Sequence, residues 1–168
     1  MITDLVQIRR LGEKKYDENM RFRVFLKSHD HSDRILRRIA EGIEEQIDCT
    51  VCAACCKVPG VEITDRDVER LARHLHIPPE RVRAEYVARD EDGDPDLRRV
   101  EGGACVFLEG TLCSVYEGRP DNCRRFPHLV RGSGSIASRM WQFVDRARYC
   151  PIVYNALEAF KAELRFRR

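Results

Sequence analysis

A mainly α-helical fold with one small β-hairpin element, its irregular loops organised around a cysteine-ligated metal site, is the architecture this 168-residue sequence predicts. Three observations carry that expectation. Apolar residues recur at helical spacing in several segments. Two short β-like runs flank a glycine-containing turn. Eight cysteines are present, and four of them fall in the octapeptide Cys49, Cys52, Cys55 and Cys56.

Taken in order, Asp17 to Ser28 mixes apolar Met20, Phe22, Val24, Phe25 and Leu26 with charges and is assigned to a helix. After the polar break Ser28-His29-Asp30-His31-Ser32, residues Ile35, Leu36, Ile39, Ile43 and Ile47 line one face at 3.6 residues per turn. This predicts an amphipathic rod that delivers its C-terminal end straight into Cys49 and positions that residue. Val58-Pro59-Gly60-Val61-Glu62-Ile63 reads as extended, and Thr64 with Asp67 forms a capping box ahead of Val68, Leu71, Ala72 and Leu75. A helix is expected from about Asp65 to Leu75. Pro78-Pro79-Glu80 stops it and opens another, carrying Val82, Tyr86 and Val87, which a solvent-facing charged loop from Arg89 to Asp96 ends.

Ala104 to Leu108 and Leu112 to Tyr116 are the two β-like runs, turning at Glu109-Gly110-Thr111, and such a hairpin would bring Cys105 and Cys113 together across its strands. Gly118 to Pro127 is bounded by prolines and reads as a short helical turn with Cys123 on a rigid corner. Gly132-Ser133-Gly134-Ser135 is a turn, and Trp141, Phe143 and Val144 after it are candidate core. Cys150 precedes Pro151, the first residue of a closing helix with Ile152, Val153, Leu157, Phe160 and Leu164 apolar. The arginine-rich tail, Arg165 to Arg168, is expected to fray.

The length suits a single domain over 1–168, with 1–47 as a helical arm packed on a metal-binding core at 48–151 and 152–168 as the C-terminal helix. Thirty basic against 28 acidic residues leave a formal +2, a balance without the global field that nucleic acid or an anionic membrane would call for. The opening residues, Met1 to Gln7, lack the basic flank and apolar run of a signal peptide, and no segment approaches a membrane span. The expectation is a cytoplasmic protein.

In that reducing compartment cysteines are rarely spent on disulfides, and C-x-x-C-x-x-C-C reads as a thiolate cage. Thiolates are soft ligands suited to zinc and to iron–sulfur clusters. The spacing Cys49, Cys52, Cys55 with a distant Cys150-Pro151 echoes the pattern that wraps a cubane cluster in bacterial ferredoxins. Eight thiols also divide into two four-thiolate zinc sites. All eight, Cys49, Cys52, Cys55, Cys56, Cys105, Cys113, Cys123 and Cys150, are candidate ligands. Adjacent Cys55 and Cys56 point too far apart to chelate one ion in parallel, so one serves a second site, bridges two metals or stays a reactive thiol. The competing readings are cysteines that fill the core and a disulfide framework.

The ordered blocks resemble the YkgJ-like cysteine-cluster family. They are Cys49-x-x-Cys52-x-x-Cys55-Cys56, Ile63-Thr64, Arg70-Leu71-Ala72, Cys105-Val106-Phe107-Leu108 and Cys113-Ser114-Val115-Tyr116, followed by Arg119-Pro120-x-x-Cys123-Arg124-x-Phe126-Pro127 and Cys150-Pro151. The resemblance spans roughly Ile47 to Pro151 and implies chelation of zinc or iron. One departure is Ala54, near which such proteins often carry glycine. A related motif in flagellin lysine methylases implies an iron–sulfur cluster with S-adenosylmethionine, although this chain shows no glycine-rich nucleotide loop.

Arg119 and Arg124 beside Cys123 are candidates for offsetting the negative charge of a thiolate cluster. Asp65, Asp67 and Glu69 read as ordinary acids at a helix start. No hydrolase triad or carboxylate pair is legible. The functional expectation is a metal-binding protein, with a 4Fe–4S cluster favoured and zinc as the alternative. It would work with an electron-transfer partner in the first case and another protein partner in the second.

Overall fold

The computed structural model describes residues 1–29, 33–58, 60–132 and 134–166. Asp30, His31 and Ser32 of the polar break, Pro59, Ser133 and the last two arginines of the tail lie outside the described residues. The elements among those described are α1 (Leu5–Lys14), α2 (Tyr16–Ser28), α3 (Asp33–Glu44), α4 (Cys49–Cys52), a 3-10 turn (Ala54–Lys57), α5 (Asp65–Leu75), α6 (Pro79–Tyr86), β1 (Val87–Arg89) and β2 (Pro95–Leu97). They continue with β3 (Leu108–Glu109), β4 (Leu112–Cys113), a 3-10 turn (Tyr116–Gly118), α7 (Asp121–Arg125), α8 (Ile136–Arg146) and α9 (Pro151–Glu163). The fold is mainly α with two small antiparallel strand pairs, β1–β2 and β3–β4, as the fold-class expectation had it. No helix among the described residues is long and apolar enough to cross a membrane.

The chain divides into two compact units, Met1–Asp48 with Pro127–Arg168, and Cys49–Phe126. The first is a helical unit built on α9, on which α1, α3 and α8 pack while α2 lies against α8. Sequence explains the central place of α9: Ile152, Val153, Tyr154, Ala156, Leu157 and Phe160 leave almost no polar face, and all are buried. Lys161, on the same helix, is also buried; it is ion-paired to Glu18 and Glu158 and donates to Asn19 Oδ1 at 3.0 Å.

Two helices here were not anticipated. α1 starts at Asp4, whose carboxylate accepts from the Gln7 N–H at 2.7 Å. Its Gly12 lets the backbone approach the end of α8, since a Cβ there would stand 2.5 Å from the Ala147 carbonyl oxygen. α8 is capped by Ser135 and buries Ile136, Met140, Phe143 and Val144, a helical spacing. Trp141 falls on the opposite face and is 52% exposed, so the expectation of a core tryptophan is corrected, while Phe143 and Val144 are core as expected. α3 ends at Glu44, and Glu45 to Asp48 intervene before Cys49, so it does not run into the first cysteine.

The second unit packs Val68, Leu71 and Ala72 of α5 and Val82 of α6 against Ile63, Leu97, Cys105, Phe107 and Val115. The capping box on α5 forms in full, with Thr64 and Asp67 each bonding the other's backbone. The expected charged loop is a hairpin: Val87 leaves the helix for β1, and Asp90 Oδ1 accepts from Asp92 and Asp94 N–H to close the turn. Asp96 is not solvent-facing; it is buried and accepts from the N–H groups of Gly60, Val61 and Leu97, which the charge pattern gave no means of foreseeing.

Candidate metal centre

Seven of the eight predicted ligands lie in the second unit, and none of the eight cysteines is joined in a disulfide. Cys49 and Cys52 occupy α4, and Cys55 and Cys56 the 3-10 turn after it. Between them Ala53 turns the chain with a left-handed φ of 47°, a conformation glycine would adopt more cheaply. The residue under that demand is Ala53 and not Ala54, where the departure from the family pattern was noted.

Cys56 is then latched from two sides, its carbonyl accepting from the Cys105 N–H at 2.7 Å and from Arg99 Nη1 at 2.9 Å. Cys105 does not stand across the hairpin from Cys113, as was expected. It forms an isolated antiparallel bridge with Arg99, and the strands are shorter than the β-like runs, with Cys113 facing Leu108. The strands shorten because the Cys105 carbonyl already accepts from Leu108 N–H in a turn. Cys123 sits on α7, half-buried, on the short helical corner predicted for it.

That corner is fastened to α5. Asp67 Oδ1 accepts from the Asp121 N–H at 2.8 Å and from Arg70 Nη1 at 2.8 Å, and the same nitrogen of Arg70 donates to the Arg119 carbonyl at 3.1 Å. Asp67 is 1% exposed. Read from sequence as an ordinary acid at a helix start, it is a tie between α5 and the segment that carries Arg119 and Cys123.

Four of the sulfurs act on one another through their charges. Burial raises the Cys105 and Cys113 thiols and pushes Cys123 up to about 12, and in each the charge of neighbouring cysteines adds to the rise. Among Cys56, Cys105, Cys113 and Cys123, every pair interacts in this way. Cys56 goes the other way, to about 7, because the Cys55 thiol hydrogen-bonds to it and Arg99, Arg119 and Lys57 outweigh its burial together with that bond. Arg119 also acts on Cys113 and Cys123.

The donor set fits a soft metal. Besides the four mutually interacting thiols, the backbone N–H groups of Phe107 and Val115, each two residues beyond its cysteine, bond to Cys105 and Cys113. Amides aimed at sulfur in this way hold thiolates for zinc or iron. Arg99 Nε and Nη2 are buried with no hydrogen-bond partner, donors left over for an anion. Among the described residues no three ligand side chains are drawn in tightly enough to hold an ion as they stand.

Of the two arginines picked out from sequence, Arg119 donates Nε to the Tyr116 carbonyl at 2.7 Å and stacks over the Tyr116 ring, whereas Arg124 is exposed on α7. Cys150 lies in the helical unit, buried at the N-cap of α9, its N–H donating to the Arg146 carbonyl at 2.8 Å. Arg99 was missed altogether. It stands outside every cysteine block, and its isolated bridge to Cys105 and its bond to the Cys56 carbonyl reveal it.

No curated protein and no solved structure matches the chain. The family model CxxCxxCC, described as "Putative zinc- or iron-chelating domain", matches residues 48–151, well over half of the sequence. The chain belongs to this CxxCxxCC family of cysteine-cluster, zinc- or iron-chelating domains.

Proposed function

We propose that the chain is an iron–sulfur protein with a redox-related role, its cluster held by Cys56, Cys105, Cys113 and Cys123. The observation that carries this reading is the mutual interaction of these four thiols inside one unit, two of them already bonded by backbone N–H groups. When bound, such a cluster takes up and releases single electrons. The residues around it would serve that use. Arg99 and Arg119 offset the negative charge of the thiolates, and the burial of Cys105 limits the approach of water. Cys49, Cys52 and Cys55 on the neighbouring turns are thiols for exchange or for a further ligand set.

A second reading is a non-enzymatic zinc module that staples loops for binding another protein. It is favoured by the stretch from Arg98 to Pro120, where the regular structure amounts to two two-residue strands and one 3-10 turn. Such loops gain most from a metal that folds them.

Metal and acid-labile sulfide per chain, with an absorption spectrum, on protein purified without oxygen, separate the two. About four irons with matching sulfide and broad visible absorption support the cluster. Zinc without sulfide or colour supports the module. Single serine replacements at the eight cysteines then assign ligands, with Cys123→Ser and Cys56→Ser expected to lose metal and solubility together. Full metal content and unchanged melting in either would remove that residue from the ligand set.

A further inference from the structure

We propose that Arg99 is a positioning residue of the metal centre, donating N–H···S hydrogen bonds to Cys56 and Cys105 when these sulfurs are metal-bound thiolates. The inference rests on the metal reading given above. Its backbone pairs with Cys105 in an antiparallel bridge, and its Nη1 donates to the Cys56 carbonyl at 2.9 Å, so the residue is tied to one cysteine by its backbone and to the other by its side chain. The remaining donors, Nε and Nη2, are sealed from solvent and bonded to nothing.

Buried donors are rarely left unmade, and a guanidinium presents Nε–H and Nη2–H side by side as a fork shaped for an anion. A neutral thiol is a weak acceptor, whereas a metal-bound thiolate takes such bonds well. The fork is therefore complete only when the neighbouring sulfurs carry charge. Arg119 differs: its Nε is already committed to the Tyr116 carbonyl and its plane lies on the Tyr116 ring.

The test uses the full chain stripped of metal without oxygen and titrated with cobalt(II), which reports thiolate ligation through its charge-transfer absorption. Arg99→Gln should bind cobalt at the same stoichiometry but about 10–100-fold more weakly in competition with a chelator. Its sulfur-to-cobalt band should move to lower energy, because sulfurs deprived of N–H donors give up electron density more readily. A purely structural arginine would not move that band. Arg99→Lys keeps the charge but not the fork, and should show the band shift with a smaller loss of affinity. Arg124→Gln should match wild type.

Arg99→Gln with wild-type affinity and an unmoved band overturns the proposal while leaving the metal reading intact. If Arg99→Gln fails to fold, an unmoved band in Arg99→Lys overturns it instead. A wild-type chain that takes up no cobalt, and behaves as Cys105→Ser does, refutes the metal reading and this proposal with it.

Discussion

Replacing Asp67 should loosen the second unit and the cysteine corner together. Four donors converge on its carboxylate: the Thr64 N–H at 3.1 Å, the Thr64 hydroxyl at 2.6 Å, Arg70 Nη1 at 2.8 Å and the Asp121 N–H at 2.8 Å. Asp67→Ala removes the reciprocal cap of α5, a loss of about 1 kcal/mol. It also leaves the Asp121 N–H without its acceptor, a further cost of about 1–3 kcal/mol. Arg70 is a quarter exposed and keeps the Arg119 carbonyl, so its share is small. The expected destabilisation is about 2–4 kcal/mol, and Asp67→Asn, which keeps an acceptor but loses the charge, should cost about half of that.

The same carboxylate sets an acid limit. Burial alone would raise its pKa, but the Thr64 hydroxyl, the two backbone N–H groups and Arg70 together hold it below the ordinary value. A depressed native pKa gives stability that is full above the unfolded value of about 3.9 and is lost as pH falls through the native one. Asp67→Asn should flatten this limb. Hydrogen exchange at the amides of α5 and α7 reads the second unit by itself. An Asp67→Ala protein whose exchange free energies there stay within about 0.5 kcal/mol of wild type, a change ordinary for surface positions, would refute the reasoning.

In metal-free protein, alkylation followed by mass spectrometry should label Cys56 first, its rate climbing as pH passes about 7, with Cys123 labelled last because its thiol is pushed up to about 12; early labelling of Cys123 contradicts this. Gly118→Ala puts a methyl 2.6 Å from His74 Cγ and 2.7 Å from its Cβ, and should cost about 1–3 kcal/mol by urea unfolding. Adding His74→Ala removes the Cγ contact but keeps the Cβ one and should recover only part of that loss, and no recovery at all would place the strain elsewhere. Lys161→Met should destabilise the helical unit by about 3–5 kcal/mol, since Glu18 loses its buried partner; a melting curve like that of wild type would show the pair to be dispensable.

Periodicity and capping chemistry were legible where a single element explains itself. The 3.6-residue rhythm of Val68, Leu71 and Ala72 after Thr64, and of Ile152, Val153 and Phe160 after Pro151, specifies α5 and α9 without reference to anything else. What was not legible depends on pairing. Tyr86-Val87 continues a helical pattern, yet Val87 faces Leu97 across a hairpin, a choice made by the partner strand. Cys105 looks like a strand residue, but a turn to Leu108 and the bridge to Arg99 claim its backbone. At the centre itself the cysteines announce the chemistry, whereas Asp67 and Arg99 acquire their roles from donors and acceptors more than 30 residues away in the chain. No local spacing encodes those.

The division of the chain into units has a consequence for its synthesis. The second unit is an insertion: α1, α2 and α3 leave the ribosome first, but α8 and α9, against which they pack, follow only after Cys49–Phe126 has been made. At about 5–20 residues per second, the early helices wait several seconds with Ile8, Phe22 and Leu36 unburied. The cysteine-bearing unit, contiguous in sequence, has all its own parts in hand before that wait is over. The nascent chain therefore presents ready thiols at a moment when its helical unit is still unfinished, and metal supply and the protection of bare apolar helices fall in the same interval of its birth.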